Sequence, residues 1–452
     1  MQTQYEKITQ TPVERLIGTM ALPTVISMLV TNVYNLADAY FVGQVNTSAS
    51  GAIGIVLSVQ AIIQAFGFTC GHGSGSIISR KLGHRDTESA DVYASTGFFL
   101  AFGIGMIIQL FGISLLDPVL RLLGSTETIL PYARSYAKYI LLAAPFMASS
   151  CVLNNIIRYE GRAVLATIGL ATGGILNMVL DPILMFGFGM GIDGAGAATA
   201  ISQLISFGLL LFMFLSGKTQ SKISLKKFTR SFADIRLIFA TGFPSLLRQG
   251  LASVSTMALN HGAAIYGDAA IAAMSIVNRI CLFIVSTMIG IGQGLQPVAA
   301  FNYGAEKYDR VRKAFRFTFL LGEAVLSVAA VAFFAMAPWL VGVFRNDPAV
   351  IAIGVPALRI QCVSLFTQPM GVCANMLFQS IGESRKATTV SALRSGVYFL
   401  PLILLLPRLF GLAGLQSAQA VADVLTFFTA LPMVLRYFRY QMPDVRPVVA
   451  KV

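Results

Sequence analysis

Charge is scarce in this sequence. Only 12% of its 452 residues are Asp, Glu, Lys or Arg, whereas 56% are hydrophobic. A soluble domain carries about 25% charged residues, and so few charges cannot coat a chain of this length as soluble globules. Cysteine is also sparse. Cys70, Cys151, Cys281, Cys362 and Cys373 fall in apolar stretches without paired or metal-ligand spacing, which leaves them as small core residues and excludes a disulfide scaffold. The three histidines, His72, His84 and His261, stand apart, so no transition-metal site is expected. The glycine run Gly67, Gly71, Gly73, Gly75 has no strand before it and no Gly-Lys-Ser/Thr after it. That excludes a phosphate loop, so no nucleotide partner is expected. The polar start, MQTQYEKITQTPVERL, lacks the basic segment, short apolar core and cleavage site of a signal peptide. The first apolar stretch is therefore expected to insert the protein itself.

Apolar stretches of helix length are what the chain does have. Twelve recur, at about 13–42, 51–79, 92–115, 132–157, 163–187, 194–215, 235–264, 270–300, 312–343, 349–379, 386–407 and 412–435, most reaching the roughly 20 residues that cross a bilayer. They are unbroken rather than alternating, which favours helices over an outer-membrane barrel. The net charge of +13 concentrates in loops after even-numbered helices and at both termini, for example Arg80, Lys81 and Arg85, Lys218 through Arg236, Lys307 through Arg316, and Arg436 through Lys451. Loops after odd-numbered helices hold only Arg121, Arg345 and Arg408, with Arg134, Lys138 and Arg359 just inside neighbouring helices. The asymmetry predicts both termini in the cytoplasm of a cell inner-membrane protein. It accounts for the charge without nucleic acid as a partner.

The chain also repeats itself. A shift of 221 residues brings Pro23 onto Pro244, Gly71, Gly73 and Gly83 onto Gly292, Gly294 and Gly304, and Asn154 onto Asn375. One deletion later, Gly191 and Gly194 meet Gly411 and Gly414. The fold class predicted is an all-α membrane protein of twelve transmembrane helices, in two parallel six-helix repeats around a central cleft. Residues 1–215 form the first lobe, 216–234 a polar, basic linker, and 235–452 the second lobe. Two such lobes suit alternating access.

Acids inside spans are costly and mark functional positions. Asp38 lies in the outer part of helix 1, about 6 Å deep at 1.5 Å per residue. Asp181 lies in helix 5, with Asn177 four residues earlier on the same face, and Thr199 lies near the outer end of helix 6. These four suit oxygen ligation of Na+, or a network whose carboxylates carry H+; the bland alternative is a satisfied packing network. The repeat places Leu259 opposite Asp38 and Tyr398 opposite Asn177, so the acids are not needed to fold the repeat. Glu323 and Asp423 stand alone in their spans and read as structural, each able to pair with a buried Arg. Arg279, beside Asn278 in helix 8, needs an anion or a cavity; it either shapes the cleft, binds an anionic group, or pairs with an acid such as Glu323. Arg248 and Arg394 raise the same question.

At these residues the sequence resembles the multidrug and toxic compound extrusion (MATE) family over essentially its whole length. LPTVISMLVTNVYNLADAYFVGQV looks like that family's helix 1, LNMVLDPILMFGFGMGIDGAGAAT like its helices 5 and 6, and GIGQGLQPVAAFNYGAEKYDRVRKAF like its helix 8 and following loop. The resemblance implies a non-enzymatic antiporter that exports small organic, often cationic compounds in exchange for Na+ or H+, with no other cofactor. It implies a DinF-like branch whose coupling residues match Asp38, Asn177, Asp181 and Thr199, and it adds Tyr34 and Asn154 as cleft-lining residues beside Asn278 and Arg279. Helices 7 and 10 hold no Asp or Glu, unlike the branch that couples there. A monomer is expected to suffice. The rival readings are a lipid-linked oligosaccharide flippase, another metabolite exporter of the same superfamily, and a non-transporting membrane receptor.

Overall fold

The computed structural model describes residues 3–442, and within them every regular element is helical. Arg446 and Lys451, counted above among the C-terminal basic residues, lie outside the described residues. Twelve long helices follow one another: α1 Val13–Gly43, α2 Thr47–Gly83, α3 Thr87–Ser114, α4 Leu130–Tyr159, α5 Ala163–Pro182 and α6 Ile192–Leu215, then α7 Phe232–Ala264, α8 Asp268–Gly304, α9 Tyr308–Phe344, α10 Pro348–Ser364 continued as Gln368–Ile381, α11 Ser384–Phe410 and α12 Leu412–Arg436. Ten are long and apolar enough to cross a membrane. The eleventh, α10, is expected from its sequence to run unbroken, but it bends by 54° between its two segments. Pro369 follows the break, lacks an N–H to continue the ladder and disfavours helical geometry in the residue before it. The twelfth, α7, is diluted by Thr241, Ser245, Arg248, Gln249 and further hydroxyls, yet it holds the repeat position of α1.

The chain divides into two compact units: one is Met1–Val25 with Leu247–Val452, the other Ile26–Leu246. The division falls inside α1 and inside α7, in each case two residues past the proline, Pro23 or Pro244, that the repeat superposes. In the first unit the early turns of α1 lie against α8, where a Cβ on Gly294 would come 2.8 Å from the backbone of Ala21. In the second the early turns of α7 lie against α2. There a Cβ on Gly73 would meet the carbonyl oxygen of Ile238 at 2.1 Å, and one on Gly242 the carbonyl oxygen of Thr69 at 1.9 Å. The two seams are repeat-related, because Ala21 and Gly73 superpose on Gly242 and Gly294. Gly71, packed on Cys151 and Asn155 of α4, is matched likewise by Gly292 packed on Val372 and Met376 of α10. The glycine run is therefore a set of close helix contacts.

Two polar segments are fastened at the end of the helices that carries the basic loops. In the first unit a short helix, Gln4–Gln10, is closed by a capping box between Thr3 and Glu6. Its end is held by Arg310, whose Nη2 donates to the carbonyls of Ile8 at 3.0 Å and Thr11 at 2.6 Å. In the second unit the linker is pinned along α3 and α4. Glu160 accepts from the backbone N–H groups of Gln220 at 2.7 Å and Ser221 at 2.8 Å. Asp91 accepts from the N–H of Lys222 at 2.7 Å and from Nζ of Lys227 at 2.6 Å. At the opposite end of this unit two arginines meet acids: Arg121 pairs with Glu127 and Arg134 with Asp117.

Candidate functional site

Four helices of the second unit converge on one buried polar cluster. α1 contributes Asp38, α4 Tyr136, α5 Asn177 and Asp181, and α6 Thr199; all five are buried. Local sequence sets their placement. Asn177 and Asp181 are one turn apart on α5, so they share a face, and Nδ2 of Asn177 donates to Oδ1 of Asp181 at 3.1 Å. Pro182 cannot continue the hydrogen-bond ladder, and a π-helical turn, Ile183–Gly187, follows it. Gly189 and Gly191 then turn the chain with φ of 68° and 55°, a region glycine enters without strain. Gly194 lets the start of α6 lie against the backbone of Leu184 and Met185, where a Cβ would approach to 2.7 Å. That close approach brings Thr199 opposite Asn177, whose Nδ2 also donates to Oγ1 of Thr199 at 3.1 Å.

The direction of every hydrogen in the cluster follows. The hydroxyl of Tyr136 donates to Oδ2 of Asp38 at 2.8 Å, which uses its one hydrogen. Its 3.3 Å contact with Oγ1 of Thr199 must then be made by the threonine hydrogen, while the threonine oxygen accepts from Asn177. The amide orientation of Asn177 is fixed as well, because the reverse would put its Oδ1 against a carboxylate. After these bonds three acceptors are left over. Oδ1 of Asp38, Oδ1 of Asn177 and Oδ2 of Asp181 are buried and have no hydrogen-bond partner among the described residues. Nor does any described Lys, Arg or His pair with either carboxylate. Two carboxylates buried without a countercharge are costly. A cluster with acceptors in excess is stabilised by what supplies positive charge: a proton on a carboxyl oxygen, or a metal cation that prefers oxygen ligands.

The other residues singled out from sequence fall around and beyond this cluster. Tyr34 is one turn before Asp38 on α1, and its ring packs on Gly174 of α5, where a Cβ would lie 3.0 Å from Cδ1. Asn154 spends its amide on the fold: Nδ2 donates to the carbonyl oxygen of Ala166 at 2.7 Å, tying α4 to α5. Asn278 and Arg279 belong to the first unit; Asn278 lines a cavity there, while Arg279 is exposed and not among the lining residues. Oε2 of Glu323 is buried without a hydrogen-bond partner among the described residues. Asp423 does pair with an arginine, the half-buried Arg394, at 2.7 Å. Tyr136 was missed by the sequence reading. A tyrosine within an apolar span needs a partner for its hydroxyl, and that requirement was the signal available to find it. Among the described residues no group of three or more His, Cys, Asp or Glu is placed to hold a metal ion.

Twelve helices in two superposable repeats, with acids buried in the spans, define a multi-pass membrane carrier. The chain belongs to the MatE family, whose model matches residues 23–183 and again 244–405, the two stretches starting at the prolines that the repeat superposes. It is a transporter and not an enzyme. It is 29% identical over 416 residues to the multidrug export protein MepA of Staphylococcus saprophyticus, covering 92% of each chain, and 28% identical over 426 residues to MepA of Staphylococcus aureus, covering 94% of each. A multidrug resistance MATE family transporter of the MOP superfamily, solved in its outward-facing conformation, superposes with a TM-score of 0.90 at 25% identity, over 97% of this chain and 98% of that one.

Proposed function

We propose that the chain is a cation-driven exporter of organic compounds, moving cationic or amphipathic molecules out of the cell in exchange for Na+ or H+. The observation that carries the reading is the trio of buried, partnerless oxygens on Asp38, Asn177 and Asp181. A cation entering there neutralises two buried carboxylates, and the gain is large because the surroundings are apolar. Tyr136 holds the other oxygen of Asp38 and Asn177 the other oxygen of Asp181, with Thr199 bonded to both of these donors, so Asp38, Asn177, Asp181 and Thr199 form the coupling set. Asp38 is the mobile member of this reading: charge neutralisation loosens its bond to Tyr136 and lets the outer half of α1, beyond Pro23, reseat against α5. Tyr34, on the same face one turn away, then changes its contact with Gly174. Tyr34 in the second unit and Asn278, which lines the cavity of the first, are the substrate contacts of this reading, whereas Asn154 is spent on the fold and Arg279 does not line that cavity. The multidrug export names of the relatives support organic compounds as the cargo.

The protein works in this reading as a monomer in the inner membrane, with both termini in the cytoplasm. It has lobes at residues 1–215 and 235–452 joined by the linker 216–234. The basic loops and the fastened linker support the orientation.

Proteoliposomes given a sodium gradient and a proton gradient in turn test the mechanism. One gradient is expected to drive uptake or release of a cationic dye, and Asp38→Asn to abolish it while the protein stays in the membrane. Dye flux by that variant at the wild-type rate would sink the coupling role.

A further inference from the structure

The first unit contains a second polar site. Arg248, Asn278, Gln368, Arg394, Gln419 and Asp423 are among the residues that line a cavity of about 360 Å³, a size that holds a small organic ligand. Asp423 is its fixed point. Oδ1 accepts from Nε of Arg394 at 2.7 Å and from Nε2 of Gln419 at 3.0 Å, and Oδ2 accepts from Nε2 of Gln368 at 2.8 Å. With both oxygens engaged and its side chain only 1% exposed, this carboxylate is not a vacant cation ligand.

Arg394 is only partly engaged. It reaches Asp423 through Nε alone, and among the described residues its two Nη nitrogens make no hydrogen bond. Its side chain keeps 32% of its exposure while lining the cavity. A guanidinium is planar and always charged, so fastening it by Nε directs the Nη edge at whatever fills the cavity. The lining carries two guanidiniums, Arg248 and Arg394, against one carboxylate. Gln368 adds one acceptor: its amide is oriented by Asp423, and its Oε1 is buried without a hydrogen-bond partner among the described residues. Met274, Val277, Leu282 and Phe399 supply apolar wall, with hydroxyls such as Ser255, Thr367 and Ser391 between. Leu259, which superposes on Asp38, also lines the cavity. The repeat position that is anionic in one unit is apolar in the other, where the charges facing the ligand are guanidiniums.

We propose that this cavity is a binding site for amphipathic organic anions. A carboxylate, sulfonate or phosphate takes the Nη edge of Arg394, a neighbouring hydroxyl or amide N–H donates to Oε1 of Gln368, and the hydrocarbon body lies on Met274, Val277, Leu282 and Phe399. The site rests on the export reading for its purpose, as a place for cargo of the opposite charge, though not for its existence. The same chemistry is offered by a soluble anion and by an anionic lipid headgroup.

Full-length protein in phosphatidylcholine nanodiscs, titrated calorimetrically with naphthalenesulfonate and with naphthylmethylammonium, tests the assignment. The sulfonate is expected to bind saturably and the ammonium about tenfold more weakly or worse, since a hydrogen bond to a charged group is worth roughly a factor of ten or more. Removing Arg394 alone would strand the buried Asp423 and risk the fold. The paired variant Arg394→Gln with Asp423→Asn removes both charges together and is expected to weaken the sulfonate about tenfold or more, while Gly103→Ala, in open space on α3, leaves it unchanged. Sulfonate heat no greater than in empty discs, equal affinity for the ammonium, or unchanged affinity in the paired variant would overturn the proposal. Discs containing phosphatidylglycerol separate the sources. Weaker sulfonate binding in them supports the site with the lipid headgroup as an occupant, and unaltered binding supports it with soluble anions. Sulfonate binding by a protein that fails to export removes the export reading and keeps the site; export without sulfonate binding does the reverse.

Discussion

Tyr136 gives its only hydroxyl hydrogen to Asp38, at 2.8 Å. The bond has one consequence for coupling and another for stability. It orients Asp38 so that the opposite oxygen, Oδ1, is the one left without a partner. It also draws the hydrogen of Thr199 toward Tyr136, which leaves the threonine oxygen to accept from Asn177. Tyr136→Phe removes the donor and keeps the ring. The variant is expected to lose about 1 kcal/mol of stability, read as a lower melting temperature in detergent. Its dye flux is expected to reach half-maximal rate at a lower concentration of the coupling cation, because the bond that the cation must loosen is already gone. A cation dependence identical to wild type would show that Asp38 is held by other means.

Much of this arrangement was legible in the sequence, for physical reasons that differ residue by residue. Asp38 and Asp181 stand out because a carboxylate in an apolar span has few structural excuses, and Asn177 follows from its one-turn spacing. Tyr136 does not stand out, because a tyrosine in a membrane helix reads as aromatic bulk until a hydroxyl partner is seen. The pairing of Asp423 with an arginine was foreseeable, but the choice of Arg394 over Arg248 or Arg279 depends on how α11 packs on α12. The helices were legible from hydropathy, while the bend in α10 was not, since Pro369 alone fits a straight span as well. The register of the repeat is the same whichever unit receives the early turns of α1 and α7, so their placement had no signature in the sequence. Nor did the docking of the linker, which is carried by backbone N–H groups that every residue but proline possesses.

The seam between α2 and the early turns of α7 leaves no space for a side chain. A Cβ on Gly242 would stand 1.9 Å from the carbonyl oxygen of Thr69, a contact that backbone must yield to relieve. Gly242→Ala is expected to cost about 1–3 kcal/mol, or to abolish accumulation of folded protein. Gly103, in α3, has nothing within 4 Å of the same atom. Gly103→Ala is expected to change stability by no more than about 1 kcal/mol, in the stabilising direction. Thermal melts of the two purified variants check the pair; equal melting temperatures would mean that the seam relaxes freely.

Asn154 offers a way to separate cargo contact from helix tie. Its bond to Ala166, at 2.7 Å, is reproduced in the other repeat by Asn375 and Ala387 at 2.8 Å. A bond kept in both repeats, where the surrounding charges differ, belongs to the scaffold. Asn154→Ala is expected to cost about 1 kcal/mol and to lower transport of chemically different dyes in equal proportion. Loss confined to one dye, with an unchanged melting temperature, would instead make Asn154 a cargo contact.

The linker is the segment whose behaviour departs most from its composition. Polar and basic, 216–234 reads as a flexible connection, yet Asp91 binds it twice, at the N–H of Lys222 and at Nζ of Lys227. Thr96 accepts from the N–H of Thr229 at 3.0 Å, and Tyr93 donates to Asp234 at 2.8 Å. These bonds hold Lys222, Lys226 and Lys227 in a stretch that trypsin must straighten before it can cut. Asp91→Ala withdraws both acceptors at once. It leaves the N–H of Lys222 without this partner and Lys227 without its ion pair, so the segment opens more often. Cleavage after these lysines in purified protein is expected to be markedly faster in the variant than in wild type. The Lys227→Gln variant, which loses only the ion pair, is expected to open less, because a half-exposed ion pair contributes about 0–1 kcal/mol whereas the backbone donor at Lys222 keeps its acceptor. Cleavage at the same rate in all three proteins would return the linker to the flexible state its composition suggests.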